Sequence, residues 1–111
     1  PRDSRSRKME LVTDELVMTL AVKQLGVEDV VQFTTAAKLL FEMAHTSHSN
    51  SDKNKNFMGK IGAIPALCRL LRVKNDETRY QACSALSEMA FRNEHNCKTI
   101  VNCPGALLFL V

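Results

Sequence analysis

One ten-residue pattern occurs twice in the chain, and this internal repetition constrains the fold more than any other feature. Residues 35–44 (TAAKLLFEMA) align with residues 81–90 (QACSALSEMA), 46 positions further along, and both end on the triplet Glu-Met-Ala. A second match aligns residues 62–64 (GAI) with residues 105–107 (GAL) at a spacing of 43 positions. Helices that recur with such a period are typical of an α-solenoid, in which each unit buries its apolar face against its neighbour.

The apolar residues of the first third of the chain also follow helical spacing. Residues 8–25 predict an amphipathic helix that ends before Gly26, because glycine is favoured just after a helix C-terminus. A second helix is predicted from about Glu28 to Ala44. One face of the first helix is predicted to carry Leu11, Glu15, Met18, Val22 and Leu25, with Val12, Leu16 and Leu20 widening the apolar stripe.

Two breaks precede the second copy of the pattern. Residues 45–56 contain no apolar residue and several turn formers, which predicts a loop. After a predicted helical turn at 57–61, residues 62–65 (GAIP) predict a sharp elbow, because glycine lacks a Cβ where two helices meet and a helix start tolerates proline. Pro65 is also expected to disfavour helical backbone at Ile64 and to begin the next helix.

The second copy of the pattern is predicted to lie in a helix over about residues 77–91, capped by the side chain of Asn75 or Asp76. Neither strand alternation nor a hairpin turn signal is found in the chain. The sequence therefore predicts an all-α fold.

Composition and charge exclude several classes of function. The chain has 111 residues and a formal net charge of +3. Residues 1–8 hold four of the 15 basic and one of the 12 acidic residues, so the remaining chain is neutral. We predict a flexible basic arm at 1–8 but no extended nucleic-acid-binding face. No apolar run approaches the roughly 18 residues of a membrane span, so a membrane-bound protein is not expected.

Residues that often carry catalysis or hold metals show no matching arrangement. Cys68, Cys83, Cys97 and Cys103 form no CxxC pair, which favours buried, reduced thiols. The spacing of His95 with two of these cysteines matches no common zinc framework, and the serines and histidines show no triad spacing. We therefore predict a non-catalytic protein with no metal site and no cofactor.

The repeated segments resemble the armadillo family. Residues 54–93 are similar to one complete armadillo repeat, with a short first helix, a Gly-Ala-Ile-Pro elbow, a second helix, a loop and a longer third helix. Residues 96–111 resemble the truncated start of the next repeat. Residues 9–50 resemble an atypical or capping repeat, because residues 16–19 (LVMT) replace the elbow and predict a continuous helix. The resemblance implies a right-handed α-solenoid over residues 9–111.

The resemblance also implies a candidate site. In armadillo proteins the third helices line a concave groove in which extended peptides lie, often held by an asparagine ladder and by tryptophans. Here Glu42 and Glu88 replace the ladder asparagine, and Lys38 and Ser84 replace the tryptophan, so function as a nuclear-import receptor is not implied. By position, the groove residues are Lys38, Glu42, Gln81, Ser84, Glu88 and Arg92.

Two carboxylates one repeat apart suit a basic or hydrogen-bonding peptide. The alternative is that Glu42 and Glu88 pair with neighbouring Lys or Arg side chains and only solvate the surface. A catalytic role for them is not expected, because acid–base catalysis needs closely placed groups in a water-poor cleft.

The last residues of the chain form a second candidate surface. Residues 105–111 (GALLFLV) predict the start of a helix whose apolar side chains lack a covering helix. Uncovered apolar side chains favour association, so this end is expected to contact further repeats or another chain. The residues concerned are Leu107, Phe109, Leu110 and Val111.

From these features we predict a protein-interaction module, an adaptor or scaffold, whose partner is another protein or a peptide in the cytoplasm or the nucleus. Binding through the third-helix groove, binding through the repeat ends and self-association all remain open. The alternative function is a regulatory or oligomerisation segment of a larger multidomain protein.

Overall fold

The computed structural model describes residues 4–103, and every regular element in this range is a helix. The prediction of an all-α fold is therefore confirmed for the described residues. The helices are α1 (Ser4–Leu25), α2 (Val30–Ala44), α3 (Ser51–Lys60), α4 (Ala63–Leu70), α5 (Asp76–Ala90) and α6 (Glu94–Val101).

Helix α1 is longer than the sequence suggested. It begins at Ser4, so residues 4–8, which we assigned to a flexible arm, form its first turn. Arginine and lysine lose little side-chain freedom in a helix, and neither glycine nor proline interrupts residues 4–25, so the helix extends in the N-terminal direction. Helix α1 also runs without a break through residues 16–19, where a complete repeat would have its elbow.

The apolar stripe of α1 is only partly buried. Met18 and Leu25 are fully buried, whereas Val12, Leu16 and Leu20 are 64%, 59% and 53% exposed. These three residues of the predicted apolar stripe are therefore not covered, and Glu15 is exposed as well. The reason is that α2, α3 and α4 all pack against α1 on its other side.

Helix α3 corrects the prediction of a loop over residues 45–56, because it begins at Ser51. Its polar residues are used in tertiary hydrogen bonds rather than in a turn. Ser51 Oγ donates to the carbonyl oxygen of Ala44 at 2.7 Å, and Asn54 Nδ2 donates to that of Met43 at 3.0 Å. Both bonds satisfy carbonyl groups at the end of α2, where the last four carbonyl oxygens of a helix have no intrahelical N–H donor.

The same side-chain contact recurs one unit later. Asn96, in α6, donates through Nδ2 to the carbonyl oxygen of Met89 at 2.9 Å, just as Asn54 does to that of Met43. Met43 and Met89 occupy equivalent positions in the repeated pattern. In both units, an asparagine of one helix therefore holds the end of the preceding long helix.

The elbow forms at Gly62, for a different physical reason from the predicted one. Gly62 has a φ of +87°, and a Cβ atom built on it would meet no atom within 4 Å. Glycine is therefore favoured at this position because the backbone is left-handed, and not because a side chain would lack space. Helix α4 already begins at Ala63, so Ile64 is helical and Pro65 lies in the first turn, where no intrahelical acceptor exists for the missing N–H.

Side-chain caps set the starts of α2 and α5. Asp29 Oδ1 accepts hydrogen bonds from the backbone N–H groups of Val31 and Gln32, both at 3.0 Å, so α2 begins two residues later than predicted. Asn75 Oδ1 accepts from the N–H of Thr78 at 3.0 Å, which identifies Asn75 as the cap of α5. These helices pack around one core that includes Met18, Leu25, Leu40, Met58, Ile64, Leu67, Leu71, Leu86 and Met89.

Candidate partner-binding face

Helices α2 and α5 lie side by side and run in the same direction. Near their N-termini, Thr34 Oγ1 and Thr78 Oγ1 share a hydrogen bond of 2.6 Å. At their C-termini, His45 Nε2 lies 3.9 Å from Glu88 Oε1. Corresponding ends are thus joined, as expected for two copies of one element. We call the surface between these two contacts the α2/α5 face.

Two of the predicted groove residues, Lys38 and Glu42, lie exposed on α2. Lys38 follows Thr34 by four residues and Glu42 precedes His45 by three, so both lie on the side of α2 that contacts α5. Among residues 4–103, neither side chain has an ion-pair partner. Both are therefore accessible to a ligand.

The predicted residues of α5 differ from one another in accessibility. Gln81 is 7% exposed, and its Nε2 donates to Glu77 Oε1 at 2.8 Å within the same helix. Ser84 and Glu88 are half-buried. Glu88 faces a histidine across the helix pair, whereas the sequence suggested pairing with lysine or arginine. Ser84 and Glu88 remain partly accessible, while Gln81 supports the helix.

Arg92 lies beyond the end of α5, where it lines a polar cavity of about 540 Å³ together with residues 48–53. Its φ of 54° is left-handed, which costs a non-glycine residue about 1 kcal/mol or more. Its Cζ and the Nζ of buried Lys55 each lie 5.1 Å from the ring centre of Phe91. Lys55 Nζ also donates to the Phe91 carbonyl oxygen at 2.9 Å, so these cations complement the negative end of α5.

Thr34, Thr78 and His45 belong to this face although the sequence reasoning did not select them. The alignment offered one signal, because His45 directly follows the Glu-Met-Ala triplet of α2 and so occupies the position of Phe91 after α5. The threonine contact joins positions 44 apart rather than 46, so an alignment at the period of 46 does not pair them. The alignment did not pair Thr34 with Thr78 because, at this contact, the two helices are displaced by two positions relative to the alignment.

A second surface is apolar and lies on α1. It consists of four exposed side chains along one side of the helix, which we call the α1 stripe: Met9, Val12, Leu16 and Leu20. Leu20 also lines an apolar cavity of about 220 Å³ with Leu39 of α2. The predicted interface residues at the other end of the chain, Leu107, Phe109, Leu110 and Val111, lie outside the described residues, as does the repeated elbow at Gly105.

None of the helices between residues 4 and 103 is both long and apolar enough to cross a membrane.

Comparisons with known proteins show what the central unit is similar to. The model of the armadillo/β-catenin-like repeat matches residues 51–91. Plakophilin-2 of Rattus norvegicus is 29% identical over 99 residues, which cover 89% of this chain and 12% of the length of that relative. No solved structure matches the chain. The matched range begins where α3 begins, three residues before the predicted start at 54, and it covers α3, α4 and α5, so this part of the chain is similar to one armadillo repeat.

Proposed function

We propose that the chain is a non-catalytic protein-interaction module, an adaptor or scaffold, that binds an extended segment of another protein on the α2/α5 face. The armadillo repeat and the similarity to plakophilin-2 support the general class of protein binding. The assignment of the face rests on the parallel arrangement of α2 and α5, which exposes equivalent positions of two units on one surface. We place this activity in the cytoplasm or the nucleus.

The charges of the α2/α5 face suit a partner segment that carries basic or hydrogen-bonding side chains. Glu42 and Glu88 lie at equivalent positions of α2 and α5, and Glu42 has no ion-pair partner within the described part of the chain. Lys38 lies one turn from Glu42 and can hold a carbonyl or carboxylate group of the same segment. A charge-assisted hydrogen bond is stronger than a neutral one, so these side chains favour a segment with alternating basic and polar groups.

The proposal is tested by titrating a library of extended peptides against the chain and against the double variant Glu42→Ala/Glu88→Ala. We expect the selected peptides to be rich in Lys, Arg, Asn or Gln and to lose about tenfold or more in affinity for the variant, since a hydrogen bond to a charged group contributes about 1.5 kcal/mol or more.

A matched control carries the same change of charge elsewhere. Glu28→Ala/Glu94→Ala removes two exposed carboxylates from the turn before α2 and from α6, away from the α2/α5 face. This variant is expected to bind as tightly as the unchanged chain. Equal binding by both double variants would rule out the acidic pair as the binding determinant.

The α1 stripe favours a second candidate function, in which the chain is an oligomerisation or regulatory segment of a larger protein. Its four apolar side chains are 53% to 67% exposed on one side of a helix. Such a stripe favours association with an apolar surface. The predicted apolar end at Phe109 and Leu110 remains a proposed interface of the same kind.

Sedimentation at two protein concentrations separates the two functions. Self-association that disappears in Leu16→Asp/Leu20→Asp would assign assembly to the α1 stripe, and loss in Phe109→Asp/Leu110→Asp would assign it to the chain end. A monomer at both concentrations would leave peptide binding as the supported function and remove self-association.

A further inference from the structure

Two thiols from different helical units line one small cavity. Cys68 lies in α4 and is 9% exposed, and Cys103 follows the end of α6 and is half-buried. The cavity has a volume of about 180 Å³, and Arg69 and Arg72 also line it. Since Cys68 belongs to the α3–α5 repeat and Cys103 follows the first helix of the next unit, the cavity lies between the two units.

The two thiols differ in the ease with which a reagent reaches them. Burial, the hydrogen bond with Cys103 and the charge interaction with Cys103 raise the pKa of the Cys68 thiol from 9.0 to about 12, and Arg72 partly offsets this rise. A buried thiol with a raised pKa reacts slowly, because the thiolate is the nucleophile. Cys103 is more accessible than Cys68, so a reagent in solution meets Cys103 first.

We propose that Cys68 and Cys103 form a site of reversible oxidative modification, at which a low-molecular-weight disulfide such as oxidised glutathione converts the pair into an intramolecular disulfide. The Cys103 thiolate attacks one sulfur of oxidised glutathione, which gives a mixed disulfide and releases one reduced glutathione. Cys68 then loses its proton to solvent and attacks the Cys103 sulfur, and the second glutathione leaves as a thiolate that takes up a proton. Two protein thiols are oxidised and one disulfide is reduced.

The structure favours the second of these steps. Burial is the largest cause of the raised pKa of Cys68 and persists, but once Cys103 is held in a mixed disulfide it has no ionisable thiol, so its own contribution to the raised pKa is removed. A disulfide requires a sulfur–sulfur distance of about 2.05 Å, and two side chains that line the same cavity of about 180 Å³ can reach it by a short side-chain movement. Cys103 lies two residues after the end of α6, where its N–H donates to the carbonyl oxygen of Ile100 at 3.0 Å.

The disulfide would fasten α4 to the residue that follows α6. The armadillo repeat and the next unit would then be held together by a covalent bond in addition to the Asn96 contact. We expect the oxidised chain to have a thermal midpoint about 5 to 15 °C higher than the reduced chain, because the bond restricts the unfolded state.

The test uses the full chain incubated with oxidised glutathione, followed by alkylation of free thiols and intact-mass measurement. The proposal predicts loss of two hydrogen atoms without a retained glutathione, and a proteolytic map in which the Cys68 peptide is linked to the Cys103 peptide. Excess dithiothreitol should restore the original mass.

Single variants identify the order of events. In Cys68→Ser the glutathione should remain on Cys103 as a stable mixed disulfide, and in Cys103→Ser neither the adduct nor the internal bond should form at this site. The control variant Cys83→Ser/Cys97→Ser keeps the pair and should oxidise like the unchanged chain.

Two results would overturn the proposal. One is a chain whose mass shows no loss of two hydrogen atoms under conditions that fully oxidise a reference dithiol. The other is a map in which the disulfide joins Cys83 or Cys97 instead. Because the readout is a mass, it does not depend on whether any partner binds the α2/α5 face.

Discussion

At the scale of single residues, buried polar side chains connect the repeated units. Asn54 and Asn96 are 1% and 0% exposed, and each donates to the last carbonyl groups of a long helix in the preceding unit. Asn54 precedes Gly62 in the sequence much as Asn96 precedes Gly105, but the role of the two asparagines is visible only in the structure. A buried amide of this kind stabilises the fold through a carbonyl that would otherwise lack a partner.

Replacement of Asn54 by alanine should therefore lower the free energy of unfolding by about 1 to 3 kcal/mol, because it leaves the Met43 carbonyl unsatisfied and opens a small cavity. Urea unfolding followed by circular dichroism measures this. Asn102→Ala, at an exposed helix end, is the matched control and should change stability by less than about 0.5 kcal/mol. Equal effects of both changes would contradict the proposed role of Asn54.

The elbow at Gly62 gives a second prediction, which separates backbone strain from packing. Because the φ of +87° is the only obstacle to a side chain there, Gly62→Val should cost about 1 to 3 kcal/mol, whereas Gly62→Asn should cost clearly less, since asparagine tolerates left-handed backbone. Chemical denaturation of the two variants compares them directly. A loss for asparagine as large as that for valine would contradict the explanation by left-handed backbone.

At the scale of elements, apolar periodicity predicted the starts of α2 and α5 more accurately than the polar sequence predicted the start of α3. Helices α2 and α5 carry the repeated pattern and begin within two residues of the predicted starts. Helix α3 begins at Ser51 inside a segment predicted as a loop, because its Ser, Asn and Lys side chains are buried through tertiary hydrogen bonds that no local pattern reveals.

The candidate face, too, depends on tertiary contacts that the sequence pattern does not reveal. The alignment selected Lys38, Glu42, Ser84 and Glu88, and the structure places them on two adjacent, parallel helices. It did not select His45, because the contact of His45 with Glu88 depends on how far α2 is displaced along α5. The exposure of the α1 stripe was not predicted either, since an amphipathic pattern does not tell how many of its apolar residues a neighbouring helix covers.

Helix α3 also packs closely against α6, which gives a prediction at this scale. A Cβ atom at Gly59 would press on Oδ1 of Asn96, whose Nδ2 is held by the carbonyl groups of Lys55 and Met89. Gly59→Ala should therefore lower the free energy of unfolding by about 1 to 2 kcal/mol, although alanine is normally the better helix residue.

A double-mutant cycle isolates this contact. In an Asn96→Ala background the obstacle is absent, so Gly59→Ala should be neutral or stabilising when unfolding is measured in urea. A cost that persists unchanged in that background would place the cause elsewhere in α3.

At the scale of the whole molecule, the described residues expose two surfaces of opposite character that could bind a partner. The α2/α5 face is polar and carries Lys38 and Glu42 without ion-pair partners in the described part of the chain, whereas the α1 stripe is apolar. A polar face suits reversible capture of an extended segment, and an apolar stripe suits packing against another helix. The cavity that Cys68 and Cys103 both line is the proposed place at which neighbouring units can be joined.

The most direct test of the central claim is to map which backbone amides a bound peptide protects. An isotope-labelled chain would be titrated with the tightest peptide from the library, and amide shifts and hydrogen exchange would be recorded by NMR. We predict that the changes concentrate on α2 and α5, at and beside Lys38, Glu42, Ser84 and Glu88. Changes confined to α1 or α6, with α2 and α5 unaffected, would contradict the account.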